Sequence, residues 1–186
     1  NNSTFSNNYS PKKGASIFIC DTRGILTVNG STFSNNIAET CSGAVDFWGV
    51  SCSISGSLFN GNQGKTAHSQ SGAVTLGRAA TGSGDSYLWE YLDVSSSVFE
   101  DNQGLNGGGL FIGYAKSRLD QTEESDVATV SSSTFSGNVA QDNGGAIATR
   151  ENLQVEDCLF HNNKSVKNGD GGAICSDSYV FGGGTG

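Results

Sequence analysis

Methionine is absent from this chain of 186 residues and proline occurs once, whereas glycine occurs 27 times. Basic residues are also few: ten Lys and Arg against 18 Asp and Glu leave a net charge of −8. That balance, with no basic stripe anywhere in the sequence, argues against wrapping a nucleic-acid backbone. No apolar run approaches the roughly 20 residues that a membrane-crossing helix needs. No secretory leader is visible either. The chain opens inside a repeat, at Asn1-Asn2-Ser3-Thr4-Phe5, so it is expected to be a piece of a longer protein, and the missing leader decides nothing about secretion. The five cysteines (Cys20, Cys41, Cys52, Cys158, Cys175) contain no CxxC pair and make no ligand-like cluster with the two histidines, so no metal or cofactor is expected. A chain this rich in Gly, Ser and Asn invites a disordered reading. Apolar residues nevertheless make up 35% of it and recur in register, which points to a packed, repetitive β fold.

The repeat emerges when the chain is laid on itself. Ser3-Thr4-Phe5-Ser6-Asn7-Asn8 returns as Ser31-Thr32-Phe33-Ser34-Asn35-Asn36. Phe59, Phe99, Phe135 and Phe160 lead further copies, and each Phe is followed three residues later by Asn: Asn8, Asn36, Asn62, Asn102, Asn138 and Asn163. Intervals between the Phe residues are 28, 26, 40, 36 and 25. A second motif follows each first one: Gly14-Ala15, Gly43-Ala44-Val45, Gly72-Ala73-Val74, Gly108-Gly109-Leu110, Gly144-Gly145-Ala146-Ile147 and Gly171-Gly172-Ala173-Ile174. Ahead of each later Phe stands a short alternating segment. Leu26, Cys52, Leu92, Ala128 and Leu153 lie seven residues upstream, and Val28, Ile54, Val94, Val130 and Val155 five upstream. A step of two between apolar positions is strand periodicity with one face inward.

Short strands at this period favour an all-β solenoid over helical repeats, and propeller blades need about 40 residues each. The expected architecture is a single right-handed parallel β-helix over residues 1–186, about six coils of roughly 25–29 residues, with two longer insertions. Like side chains then pile on like: Phe on Phe, Val on Val, Ala or Gly on Ala or Gly. The Asn column is expected to form a ladder at a turn, since a buried amide is costly unless satisfied. The Gly-Ala pair marks either a place with no room for a larger side chain or a backbone needing positive φ.

Phe-x-x-Asn alternating with Gly-Gly-Ala-Ile resembles the polymorphic outer-membrane protein repeat. The best copies are Phe135-Ser136-Gly137-Asn138 with Gly144-Gly145-Ala146-Ile147, and Phe160-His161-Asn162-Asn163 with Gly171-Gly172-Ala173-Ile174. The resemblance implies a pectin-lyase-like β-helix fold, display at the cell surface and a role in adhesion. It implies no catalytic residue, because the motif positions are architectural. Ser42 and Ser71 stand where the motif has its first Gly, and Gly109 where it has Ala.

Function is expected where coils differ. From the Ala position to the next Phe the gaps are 18, 15, 26, 26 and 14 residues, so two neighbouring coils carry insertions, within 77–91 and 113–127. Leaving the solenoid at equivalent points, they should sit side by side on one flank, where repeat proteins often bind. Trp48, Tyr87, Trp89, Tyr91 and Tyr114 are the candidate contacts for a protein partner or a glycan; the same aromatics would also serve simply to pin the loops. The acidic run Asp120–Asp126 lacks the calcium-loop spacing and reads as a solvated face. Asp21, Asp46 and Asp93 fall in different columns, and His161 reads as an exposed turn residue, so no catalytic set is expected. Cys52 replaces Leu in the column seven residues ahead of Phe, and Cys158 replaces Ser in the column two ahead that holds Ser31, Ser57, Ser97 and Ser133, so both are expected as small buried fillers. Cys20 and Cys41 fall outside those columns and could join adjacent coils in an oxidising compartment, and Cys175 could be core or a partner of Cys158. Sequons begin at Asn1, Asn2, Asn8, Asn29 and Asn163 and fit an extracellular location. The expectation overall is a non-catalytic extracellular scaffold, structural or adhesive, with self-assembly, protein or glycan partners. A carbohydrate-binding or polysaccharide-cleaving module is the alternative.

Overall fold

The computed structural model describes residues 1–21, 23–65, 70–78, 91–114, 127–167 and 169–176. It is an all-β, fully parallel, right-handed β-helix in which each coil contributes to four sheets. The first sheet stacks Thr4–Ser6, Thr32–Ser34, Leu58–Asn60, Val98–Glu100, Thr134–Ser136 and Leu159–His161. The second stacks the two-residue strands Tyr9–Ser10, Ile37–Ala38, Gln63–Gly64, Gln103–Gly104, Val139–Ala140 and Lys164–Ser165. The third holds Ile17–Cys20, Val45–Trp48, Val74–Arg78, Leu110–Tyr114, Ile147–Thr149 and Ile174–Ser176, and the fourth Ile25–Asn29, Ser51–Ser55, Tyr91–Ser95, Val127–Ser131 and Asn152–Glu156. Every strand therefore pairs with its own equivalent one coil away, which is why identical motifs meet.

Phe5, Phe33, Phe59, Phe99, Phe135 and Phe160 are neighbours in register and form one internal stack. Successive ring centroids lie 4.7–5.0 Å apart, with planes within 9° of parallel. That spacing is the strand-to-strand distance of a sheet, so the backbone repeat imposes the geometry of the stack. In the fourth sheet Leu26, Val28, Cys52, Ile54, Leu92, Val94, Ala128 and Val130 point inward and are buried. Leu153 and Val155 occupy the same columns but are partly exposed, because Asn152–Glu156 is the edge strand of that sheet among the described residues.

Asn36, Asn62, Asn102 and Asn138 are fully buried, and each is fully satisfied. The backbone N–H and Nδ2 of Asn62 both donate to Oδ1 of Asn102, at 2.9 and 3.0 Å. Asn102 donates in the same way to Asn138, at 3.2 and 2.9 Å. The second Nδ2 hydrogen of Asn102 goes back to the carbonyl of Phe59, at 2.9 Å. The two donors and the two acceptor positions of each side chain are thus used. The residue ahead of each Asn has left-handed φ: Asn7, Asn35, Gly61, Asp101, Gly137 and Asn162, the residue types that tolerate that region.

A second ladder runs through the serines two residues ahead of each Phe. Ser31, Ser57, Ser97 and Ser133 are buried. Each hydroxyl donates to the carbonyl two residues upstream and accepts the amide of its equivalent in the neighbouring coil, as in Ser97 Oγ to Ser95 O at 2.8 Å and Ser57 N–H to Ser97 Oγ at 3.2 Å. These bonds tie down the bend between the fourth and first sheets. Cys158 takes the serine's place in the last copy, its thiol donating to the carbonyl of Glu156 at 3.1 Å.

The glycine motif combines both constraints expected of it, at successive positions. Gly14, Gly107, Gly144 and Gly171 have positive φ, while the register partners Ser42 and Ser71 do not. The next position has no room: a Cβ on Gly108 would lie 2.4 Å from the carbonyl oxygen of Gly145. The first copy shifts by one residue from the sequence alignment. Ile17 pairs with Val45, so Ala15, not Gly14, is the counterpart of Gly43.

Asn102→Ala leaves two buried Asn62 donors unpaired and takes one bond from the Phe59 carbonyl, and is expected to lose on the order of 4 kcal/mol in urea unfolding, against about 1–2 kcal/mol for Ser97→Ala. Equal losses would deny the asparagine column its special weight. Gly108→Ala drives a methyl into backbone and is expected to prevent cooperative folding, visible as loss of the unfolding transition in circular dichroism.

Candidate functional site

In the fourth sheet outward-facing residues are mostly open to solvent, as the alternation of Ile25–Asn29 shows. The third sheet departs from this rule. Its outward column runs Phe18, Asp46, Thr75, Phe111, Ala148, Cys175 through the register, and all but Phe18 are buried. Both faces of this sheet are therefore withdrawn from water over its middle strands, a pattern that periodicity cannot reveal.

Asp46 is the charged residue at the heart of this face, with no exposed surface. Its Oδ1 accepts the indole N–H of Trp48 at 2.6 Å, while its Oδ2 has no hydrogen-bond partner. Burial pushes the Asp46 carboxyl above its ordinary range, partly offset by the Trp48 indole, Lys13 and the Cys41 thiol. Cys41 is pushed up to about 12, chiefly by burial and then by the charge of Asp46. It is a buried, protonated thiol rather than a nucleophile. In the next coil the Thr75 hydroxyl is likewise buried without a partner. Further along, the Arg150 guanidinium lies 5.9 Å from the centre of the Phe111 ring, and burial lowers its pKa.

Trp48 is half-buried and lies across Gly77, where a Cβ would meet the indole at 2.4 Å. Its register partners are Cys20 and Gly77, whereas Tyr114 is paired with Arg78 one position further on. Tyr91 is exposed at the head of its strand, opposite Ser51. Tyr87 and Trp89 lie outside the described residues, as does the acidic run 120–126. The described residues that flank the two insertions are in register. Their exits at Arg78 and Tyr114 are paired, and their returns at Tyr91 and Val127 open strands that pair from Leu92 and Ala128 onward.

Cys20 and Cys41, which could have joined adjacent coils, are both free thiols. Cys20 ends its third-sheet strand opposite Trp48, while Cys41 precedes the next coil's strand, so a strand length separates them. Cys52 is wholly buried in the apolar core. Cys158 is also a free thiol, and Cys175 lies in a different sheet, opposite Ala148. His161 is exposed, but it ends a first-sheet strand rather than lying in the turn. Of the sequon asparagines, Asn1, Asn2 and Asn29 are exposed. Asn8 and Asn163 belong to the ladder, where their Nδ2 groups donate to Asn36 Oδ1 and to the Phe135 carbonyl. No group of three or more His, Cys, Asp or Glu able to hold a metal ion occurs among the described residues. Among the described residues, two carboxylates are buried on this flank, Asp46 and Glu151. They are three coils apart, roughly 14 Å along the axis, beyond the ~5–9.5 Å that glycoside hydrolysis uses.

A separate cleft of about 230 Å³ opens on the second sheet, with Lys65 at one end and Lys167 at the other. Nothing in the sequence pattern isolates it, since Gln63, Gln103 and Gln141 fall in columns of mixed chemistry.

This geometry defines a parallel β-helix scaffold. Residues 132–150 and 157–177 match the model of the Chlamydia polymorphic membrane protein repeat. These stretches contain the two strongest paired motifs. No curated protein and no solved structure matches the chain. No helix among the described residues is long and apolar enough to cross a membrane.

Because its folded pKa is raised, Asp46 favours the folded state fully only below the unfolded value of about 3.9, and that contribution is lost as pH rises through the folded value. Asp46→Asn keeps the acceptor for Trp48 and removes the charge. Thermal melts should show little difference at pH 4 and a higher melting temperature for the variant at pH 7.5. A variant that melts lower at both pH values would mean that the carboxylate is a net stabilising partner.

Proposed function

We propose that this chain is a non-catalytic extracellular scaffold that displays flank surfaces for adhesion. The observation that carries the reading is the register of the coils. Two insertions leave from paired positions and return to paired strands, so a rigid solenoid presents them together. The matched stretches, similar to a membrane-protein repeat, support a surface location, as do the exposed sequon asparagines Asn1, Asn2 and Asn29. A stacked fold suits the task because each coil adds lateral surface while covering its neighbour's edge.

The second reading, a polysaccharide-cleaving module, draws its support from Asp46, a buried carboxyl with a raised pKa. A single experiment separates the two. Beads coated with the chain are tested for adhesion to epithelial cell monolayers, and the soluble chain is incubated with neutral and acidic polysaccharides while reducing ends and unsaturated products are followed. Adhesion without product formation is expected. Product formation that disappears in Asp46→Asn would overturn the scaffold reading in favour of the enzyme.

A further inference from the structure

Charge is sorted around the coil. Every lysine among the described residues, Lys12, Lys13, Lys65, Lys164 and Lys167, lies on the second sheet or in the turn that follows it. The strands of the first and fourth sheets carry Asp93, Glu100 and Glu156 and no lysine or arginine. The turns after the second sheet also hold the carboxylates Glu39, Asp142 and Asp170, so five lysines stand against three acids there, and in a chain of net charge −8 this flank is where an anion meets least repulsion.

The 230 Å³ cleft sits on this flank, and no carboxylate lines it. Lys65 closes one end and Lys167 the other, both exposed. Between them the lining climbs coil by coil. Gln63 pairs with Gln103, the Gln141 N–H donates to the Gly104 carbonyl at 2.9 Å, and the Lys167 N–H donates to the Gln141 carbonyl at 3.0 Å. Three coil steps put the lysines roughly 14 Å apart along the axis. Lys65 makes one long ion pair, 3.7 Å to Glu39. Gln63 Nε2 donates to Gln103 Oε1 at 3.4 Å, while the Gln103 Nε2 and the Gln141 side-chain amide, both in the lining, make no hydrogen bond among the described residues.

We propose that this cleft binds an extended anionic oligosaccharide lying parallel to the solenoid axis. Side-chain amides offer a donor and an acceptor together, the pairing that sugar hydroxyls require. The terminal lysines offer point charges to carboxylate or sulfate groups on the sugar chain. One coil rise is close to the length of one pyranose in an extended glycan, so successive sugars meet successive amides. An acidic peptide fits less well. It would cross the strands at right angles over a sheet whose backbone groups are already paired, and so could not add as a strand. The inference rests on the non-catalytic adhesive reading and supplies its ligand class.

The test is calorimetric titration of the whole chain with a heparin-derived hexasaccharide, a polyuronate hexasaccharide, a neutral cellulose hexasaccharide and a poly-glutamate peptide. Binding of one or both anionic sugars is expected, and which one binds distinguishes sulfate from carboxylate as the anionic group. Affinity should fall about tenfold in Lys65→Ala, Lys167→Ala and Gln103→Ala, and with added salt. Lys12→Ala, outside the cleft, should bind as wild type. The substituted side chains are exposed, and unchanged melting temperatures verify folding. Equal binding of the neutral sugar, tighter binding of poly-glutamate, indifference to all three cleft variants, or no binding of either anionic sugar would overturn the proposal. Loss of the cleft site with intact bead adhesion would leave the scaffold reading standing. An anionic sugar that binds but is recovered cleaved would sink that reading while keeping the site.

Discussion

The asparagine ladder is the interaction on which the rest of this molecule depends. Apolar burial supplies more gross stabilisation, about 1.5–3 kcal/mol for each enclosed Phe. But apolar burial has no direction, and a two-residue slip, which keeps each side chain on its own face, would cost a stack of apolar residues comparatively little. The Asn side chains would not tolerate it. Asn62 binds Asn102 through both its amide N–H and its Nδ2 while returning a bond to Phe33. Such a slip would leave all of these unpaired in a dry interior. The ladder thus sets the register, and the register stacks the rings, seats the close-packed glycines and pairs the strands that flank the insertions.

The serine ladder does the same work at the next corner with less at stake, since each hydroxyl makes one donor and one acceptor contact. Two hydrogen-bonded corners per coil explain how a chain with one proline and many glycines holds a single path. They also explain why substitution is so free elsewhere. Outward positions of the first sheet hold Thr, Leu and Val without changing the coil. Such a fold can vary a flank while its spine stays constant, which is the property a display scaffold needs.

Most of the spine was legible in the amino-acid sequence, and for a physical reason. In a solenoid, contact partners are separated by one repeat, so equivalent residues in the sequence are neighbours in space. Phe-x-x-Asn and the alternating pair ahead of it are read directly as columns. The serine column was visible too, though its hydrogen bonds were not, because a small polar residue ahead of a motif is compatible with a turn, a surface or a bond. The first Gly-Ala copy was misaligned by one because Gly14-Ala15 matches the motif better by residue type than by backbone register. The candidate sites were less legible. The aromatic patch lies largely in segments without columns, and Trp48 turns out to lean on Asp46 and Gly77.

By itself, the sequence determined the period, the class of fold, the identity of the stacked core and the places where coils lengthen, because each of these repeats along the chain. Only the tertiary structure decided that a third-sheet face is buried on both sides, that Asp46 is sealed within it, and that two lysines from distant coils bracket one cleft. Those features join residues in different columns and different coils. Their distances follow from how the coil bends between its four sheets, and no one-dimensional periodicity encodes that bend.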